Sequence, residues 1–246
     1  MTRILRSALV TLAFASTVSL AAMPAAADDF ESCGKASADQ AIATCTRAID
    51  SGRYDGAELA LLFNNRCLAW AEKQDSDKAI EDCSRAIRLN PNDATAFSNR
   101  AVAYQLKGQH DRAVEDFSQP IRLEPNSANA LNNRGVAYLR SGQYDRSIAD
   151  FDQAIRIDPN SAMALSNRGN AYQFKGQYDR AIADYDQAIR VDPNYVMAFY
   201  NRGESWERKH DLQRALADFR KYAELAPFDS DGPKAVERVA QELKGR

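Results

Sequence analysis

Histidine is nearly missing from this chain: only His110 and His210 occur among 246 residues. Two isolated imidazoles, each in or beside an expected turn and without neighbouring Cys, Asp or Glu ligands, give no basis for a metal site. There is also no Ser-His-Asp order, no phosphate-cradling glycine loop and no zinc-ligand spacing. No catalytic residue, metal or cofactor is therefore expected, and the chain is not expected to be an enzyme. Of the four cysteines, none forms a C-x-x-C, which argues against a dithiol redox catalyst. Charge of one sign is missing as well: 32 Lys and Arg stand against 34 Asp and Glu, a formal net charge of -2. That leaves no basic footprint for nucleic acid. Beyond residue 22 no apolar run is long enough to cross a bilayer.

What is present begins with a leader. Arg3 and Arg6 precede an apolar stretch from Ala8 to Ala22, and Ala25-Ala26-Ala27 offers a small-residue cleavage site before Asp28. This is the layout of a secretory signal peptide over residues 1–27. It predicts a periplasmic or secreted protein with no stable membrane insertion after cleavage. Losing two arginines brings the net charge to about -4, still only weakly acidic. In an oxidising compartment the four cysteines are expected to pair.

The rest is organised by a period. Pro91, Pro125, Pro159, Pro193 and Pro227 are spaced by 34 residues, and the first four are each followed by Asn. An Asn-Arg pair keeps the same step: Asn65-Arg66, Asn99-Arg100, Asn133-Arg134, Asn167-Arg168 and Asn201-Arg202. A fixed period in this range marks an array of stacked supersecondary units. Five full units fit, at 60–93, 94–127, 128–161, 162–195 and 196–229, after a partial unit at 28–59. Within the unit 162–195, Leu165, Gly169 and Tyr172 share one helical face, Gly176 interrupts, and Ala181, Ile182, Tyr185, Ala188 and Ile189 resume. The pattern predicts helix, tight turn, helix and a Pro-Asn corner. Gly108, Gly142 and Gly176 should end first helices in a left-handed conformation, and Asp93, Ser127 and Ser161 should cap the helix that follows each corner. Ala235, Val236, Val239 and Leu243 predict a capping helix within residues 230–246. Pro120, where other units have Ala86, Ala154 and Ala188, should kink its helix. Residues 51–56 form a longer connection than elsewhere.

These residues resemble the tetratricopeptide repeat, of an exported bacterial type. Leu131, Gly135, Tyr138, Phe151, Ala154 and Pro159 match its pattern in one unit; Phe199, Gly203, Trp206, Ala215, Phe219 and Pro227 match it in the last. The resemblance covers about residues 38–229. It implies an all-α, right-handed α-solenoid of antiparallel helix pairs with a concave groove, and binding of a protein or peptide rather than catalysis. Carried over position by position, it implies a groove lining of Asn65, Asn99, Asn133, Asn167 and Asn201. Beside these it places Asn64, Ser98, Asn132, Ser166 and Tyr200, and farther along Val102, Val136, Asn170, Leu139 and Phe174. An Asn amide can donate to and accept from an extended backbone. It can equally tie one helix to the next, and both roles remain open. The lysines of the family's carboxylate-clamp variant are not at the matching places, so a terminal-carboxylate ligand is not expected. A structural envelope protein acting through self-association is the alternative to a binding scaffold.

The departures from the pattern carry their own information. Arg66, Arg100, Arg134, Arg168 and Arg202 replace its Leu, and sixteen residues after each stands an Asp: Asp82, Asp116, Asp150, Asp184 and Asp218. Positions equidistant from a hairpin turn face each other, as Arg134 and Asp150 do about Gly142. The expectation is a ladder of ion pairs within the array, with a row of ligand-binding arginines as the other reading. Cys67 and Cys83 are likewise equidistant from Asp75. They stand where other units pair small with large: Ala101 with Phe117, Gly135 with Phe151, Gly169 with Tyr185. Cys33 and Cys45 flank Asp39, the expected N-cap of a helix from Gln40 to about Ile49. Of three possible connectivities, Cys33–Cys45 and Cys67–Cys83 are predicted.

Overall fold

A computed structural model describes residues 25–34 and 37–245. The expected leader, residues 1–27, lies outside the described residues except for its last three, and the expected cleavage point falls within the first helix. Thirteen helices and no strands are formed among the described residues. They are α1 (Ala25–Cys33), α2 (Ala38–Asp50), α3 (Gly56–Glu72), α4 (Ser76–Leu89), α5 (Ala94–Leu106), α6 (His110–Leu123) and α7 (Ala128–Arg140). The chain continues with α8 (Tyr144–Ile157), α9 (Ala162–Phe174), α10 (Tyr178–Val191), α11 (Val196–Arg208), α12 (Leu212–Leu225) and α13 (Asp231–Lys244). Each helix packs on the next in sequence, giving an α-solenoid of stacked hairpins. No helix among the described residues is long and apolar enough to cross a membrane.

Local chemistry explains the corners. Asp93 accepts from the backbone N–H of Thr95 and Ala96, Ser127 from Ala130 and Ser161 from Ala164. These bonds satisfy donors that a helix start leaves open. At the hairpin turns Gly108, Gly142 and Gly176 adopt φ of 72, 76 and 70°. The same position holds Gln74 and His210 in the first and last full units, both at φ 61°. A side chain there costs roughly 1 kcal/mol, so these two turns are less favourable than the glycine ones.

One local expectation changes. The helix expected to begin after Asp39 begins one turn's fraction earlier: Ser37 holds the N-cap position and Asp39 sits in the first turn of α2. An acidic group is favourable there too, because the helix N-terminus carries partial positive charge. Pro120 is buried inside α6, and the helix runs past it to Leu123 without interruption. Only four residues from the helix start lack an internal N–H acceptor, so this proline costs one bond near the far end. The segment before Cys33 forms the nine-residue α1, which makes a hairpin with α2. Its Phe30 stacks on Tyr54 at 4.9 Å, and Asp29 pairs with Arg47.

The core is a series of small clusters strung along the stack instead of a single centre. Phe117, Phe151, Tyr185 and Phe219 are each almost fully buried. A Cβ on Gly135 or Gly169 would come within 2.6 Å of the facing ring, so these helices cross at a distance only glycine allows. In the first full unit the same pair of positions is the disulfide Cys67–Cys83, with Cα atoms 5.4 Å apart. Cys33–Cys45 joins α1 to α2 at a Cα distance of 4.8 Å. At the other end α13 covers Leu212, Leu216 and Phe219 with Ala235, Val236, Val239 and Leu243.

Candidate functional site: the concave helix face

The first helix of each full unit is held by one repeated contact. Arg66 in α3 donates from Nε and Nη2 to the two carboxylate oxygens of Asp82 in α4, at 2.7 and 2.9 Å. Arg100–Asp116, Arg134–Asp150, Arg168–Asp184 and Arg202–Asp218 repeat this fork. The aspartates are buried and the guanidiniums mostly so. The remaining nitrogen, Nη1, reaches back to the preceding hairpin. It meets Thr46, Ser84 and Ser118 in the first three units, then Asp152 and Asp186 in the last two. One arginine therefore closes its own hairpin and also ties it to its predecessor. The partner lies 16 residues back in every unit except the first, where it lies 20 back, because α3 begins one turn earlier before its arginine than the later first helices do.

The electrostatic consequences follow from burial. Hydrogen bonding to Asp184 and Asp152 raises the pKa of Arg168 despite its partial burial. Burial raises that of Asp218 even though Arg202 opposes the shift. A second set of ties runs along the turn edge: Lys73 to Asp39, Lys107 to Asp77, Lys175 to Asp145 and Lys209 to Asp179. Ser141 stands where the lysine would be in the unit 128–161.

The asparagine row divides. Asn99 donates to Asn64, Asn167 to Asn132 and Asn201 to Asn170, at 2.8–3.0 Å. Their side-chain nitrogens therefore link units. Asn65 and Asn133 make no hydrogen bond with other described residues. The neighbouring row expected beside them faces inward: Asn64, Asn132 and Ser166 are buried, and Tyr200 packs against Phe219 and Tyr222. Asn132, expected in the groove, is thus a joint residue, because one step along a helix turns the side chain by about 100°. Asn170 is also engaged, accepting from the Tyr185 hydroxyl as well as from Asn201. Gln173 accepts from Tyr185 and Ser205 and donates to Glu204. Burial pushes the Tyr185 phenol far up, so it stays a neutral donor.

The exposed face of each first helix is a stripe at i, i+4, i+7 and i+11 built around the Asn. In α3 it reads Leu61, Asn65, Leu68, Glu72; in α5 Thr95, Asn99, Val102, Leu106; in α7 Asn129, Asn133, Val136, Arg140. In α9 it reads Met163, Asn167, Asn170, Phe174, and in α11 Met197, Asn201, Glu204, Arg208. Val102, Val136, Asn170 and Phe174 were expected from the sequence. Leu61, Leu68, Leu106, Met163 and Met197, all exposed, were not. Their signal was the helical spacing from each Asn. His110 opens α6 and His210 lies in a turn; among the described residues no group of His, Cys, Asp and Glu is arranged to hold a metal ion.

Comparison with known proteins follows the period. Family models described as "Tetratricopeptide repeat" match residues 60–93, 83–115, 126–194 and 166–230, and one described as "TPR repeat" matches 106–142. No curated protein matches the sequence. Among solved structures, PilW, a "widely conserved type IV pilus biogenesis factor", is similar at 25% identity and a TM-score of 0.69, covering 76% of this chain and 86% of that one. MamA is similar at 25% identity and a TM-score of 0.56, covering 64% and 92%. YrrB, "a TPR protein with an unusual peptide-binding site", shares 19% identity, a TM-score of 0.56 and coverage of 82% and 98%, a likeness of fold.

Proposed function

The chain belongs to the tetratricopeptide repeat family, and on that basis we propose that it is a non-catalytic scaffold that takes an extended protein segment against its concave face. The observation that carries this is the stripe itself. Five helices present aligned side chains at one spacing, and the exposed ones include Leu61, Leu68, Val102, Leu106, Met163, Phe174 and Met197. Aliphatic and aromatic groups aligned along a groove, with Asn amides between them, suit a polypeptide better than a small polar solute. The arginine row does not compete for this role, since every guanidinium is committed to carboxylates or hydroxyls. The protein works in the periplasm or outside the cell. Its two cysteine pairs and its leader-like start support that reading.

A photo-crosslinking side chain at Leu106, compared with one at the exposed Arg156 on α8, tests the groove in cells. One protein captured from Leu106 and not from Arg156 supports it. Capture only from Arg156, or only of a second copy of this chain, favours self-association, which light scattering of the purified protein then quantifies. Cell fractionation with thiol counting by mass spectrometry tests the compartment; four free thiols would refute it.

A further inference from the structure

Two positions break the period, and they complement each other. Pro91, Pro125, Pro159 and Pro193 are each followed by Asn, but Pro227 is followed by Phe228. Its ring is fully exposed, more so than any other large apolar side chain among the described residues. The corner that carries it is fixed. Asp229 donates its N–H to the Ala226 carbonyl, and its carboxylate accepts from the Asp231 N–H and the Tyr222 hydroxyl. Phe228 is thus a knob on a rigid base, and a ring held this way loses little freedom when it is covered.

The second break leaves a hollow. Gly176, Gln177, Tyr178, Asp179 and Arg180, with Lys209 from the next unit, line a cavity of about 560 Å³ on the turn edge. The same six residue types stand one unit earlier, from Gly142 to Arg146 with Lys175. There Phe174 lies flat on Tyr144, with ring centroids 5.6 Å apart and planes 5° apart. One unit on, the position of Phe174 is held by Arg208, which lines a different cavity with Glu204, Glu207 and Arg238. No ring among the described residues stacks on Tyr178. One unit therefore displays what suits the hollow of the next: a phenyl ring, face to face.

Charge agrees with shape. At the hollow, Lys209 bonds Asp179, whereas Arg180 meets only the neutral Gln177 amide and the Tyr172 ring, so one positive charge is in excess. The knob is flanked by Asp229 and Asp231, with Lys234 alone beside them, so one negative charge is in excess. The two cannot meet within one chain. Tyr178 opens α10 on the turn edge, and Phe228 follows the far end of α12. The 14 residues of α12 hold these edges about 21 Å apart. We propose that a second copy of this chain supplies the ring: Phe228 of one copy packs on Tyr178 of another, with Asp229 and Asp231 turned toward Arg180 and Lys209. Knob and hollow are different surfaces, so the contact is head to tail. It occupies a corner and the turn edge and leaves the concave stripe open to the partner proposed above.

Sedimentation velocity of the oxidised protein as purified from cells, taken to about 1 mM because contacts this small are weak, reads the association. Phe228→Ser removes the knob. Arg208→Phe fills the hollow with the ring that Phe174 supplies one unit earlier. Both positions are exposed, and circular dichroism verifies that each variant folds. Either variant alone should associate about tenfold more weakly or worse, the effect of losing a central aromatic anchor. Mixed, the two should pair again, because one keeps the hollow and the other the knob; a surface change that acted elsewhere would not be rescued. The proposal is overturned by a parent chain that stays monomeric, by association unchanged in either variant, or by mixed variants that stay apart. A photo-crosslinking side chain at Gln177 that captures a different protein in place of a second copy also overturns it. Failure of capture at Leu106 overturns the groove reading and leaves this contact standing.

Discussion

Arg168→Ala is the sharpest test of how the array is held. The substitution removes three charge-assisted hydrogen bonds, at 2.8 and 2.6 Å to Asp184 and 2.7 Å to Asp152. Asp184 then remains with a side chain only 8% exposed and without its counter-ion. Breaking a buried pair by removing one partner costs about 3–5 kcal/mol. The guanidinium keeps some water contact and Asp152 is more open, so the lower part of that range, about 3 kcal/mol, applies here. Arg134→Ala loses the same fork to Asp150, but its third arm meets only the Ser118 hydroxyl at 3.3 Å. It should cost about 0.5–1 kcal/mol less, the worth of a partly exposed ion pair. Replacing both partners, as Arg168→Met with Asp184→Leu, should recover most of the loss, because two apolar groups no longer demand compensation. Urea unfolding followed by circular dichroism, with disulfides intact, measures all four chains. Hydrogen exchange localises the loss if the array no longer unfolds as one unit. The reasoning is refuted if Arg168→Ala unfolds like the parent chain, or if Arg168→Met with Asp184→Leu loses as much stability as Arg168→Ala. Parent stability with loss of partner capture at Leu106 would make the arginine row a ligand site.

Three further outcomes probe the packing. Gly169→Ala should destabilise by about 2–3 kcal/mol, because Tyr185 is held by Asn170 and Gln173 and cannot move aside; Gly135→Ala, facing the unanchored Phe151, should cost about 1 kcal/mol, as thermal melts will show. His210→Gly and Gln74→Gly should each raise stability by about 0.5 kcal/mol in the same melts by relieving a left-handed side chain, and an unchanged or lowered midpoint counts against that account. Cys67→Ala with Cys83→Ala should cost about 2–4 kcal/mol in chemical unfolding. Cys67→Gly with Cys83→Phe should regain part of it by restoring the small–large pair used elsewhere.

The hairpin-internal contacts were legible in the sequence because a turn acts as a mirror: Arg134 and Asp150, or Cys67 and Cys83, stand at equal distances from it. What lies between hairpins was harder to see. The third arm of every arginine after Arg66 lands sixteen residues upstream on Ser84, Ser118, Asp152 or Asp186, and residue type alone does not mark a serine as a partner. The exposed stripe of the first helices was legible in its Asn row, and Asn132 and Tyr200 were expected one step off it. The rotation of a helix about its axis is decided by packing on the preceding unit, as Ala137 packs on Ala113 and Phe117 and Ser205 bonds Gln173, and a period cannot report it. Helix α1 was hidden because its alanines also read as the end of a leader.

Each full unit carries, in one arginine, a plug for the hairpin before it, and each but the last carries in its second helix a hydroxyl or carboxylate socket for the hairpin after it. A whole unit can therefore be copied or deleted without stranding a bond at either new seam. Such a chain can lengthen by gene duplication with no compensating change, and its grooves can diversify while the joints stay interchangeable. Doubling residues 162–195 would put a second Arg168 against a first Asp152 equivalent, a junction already made and already satisfied.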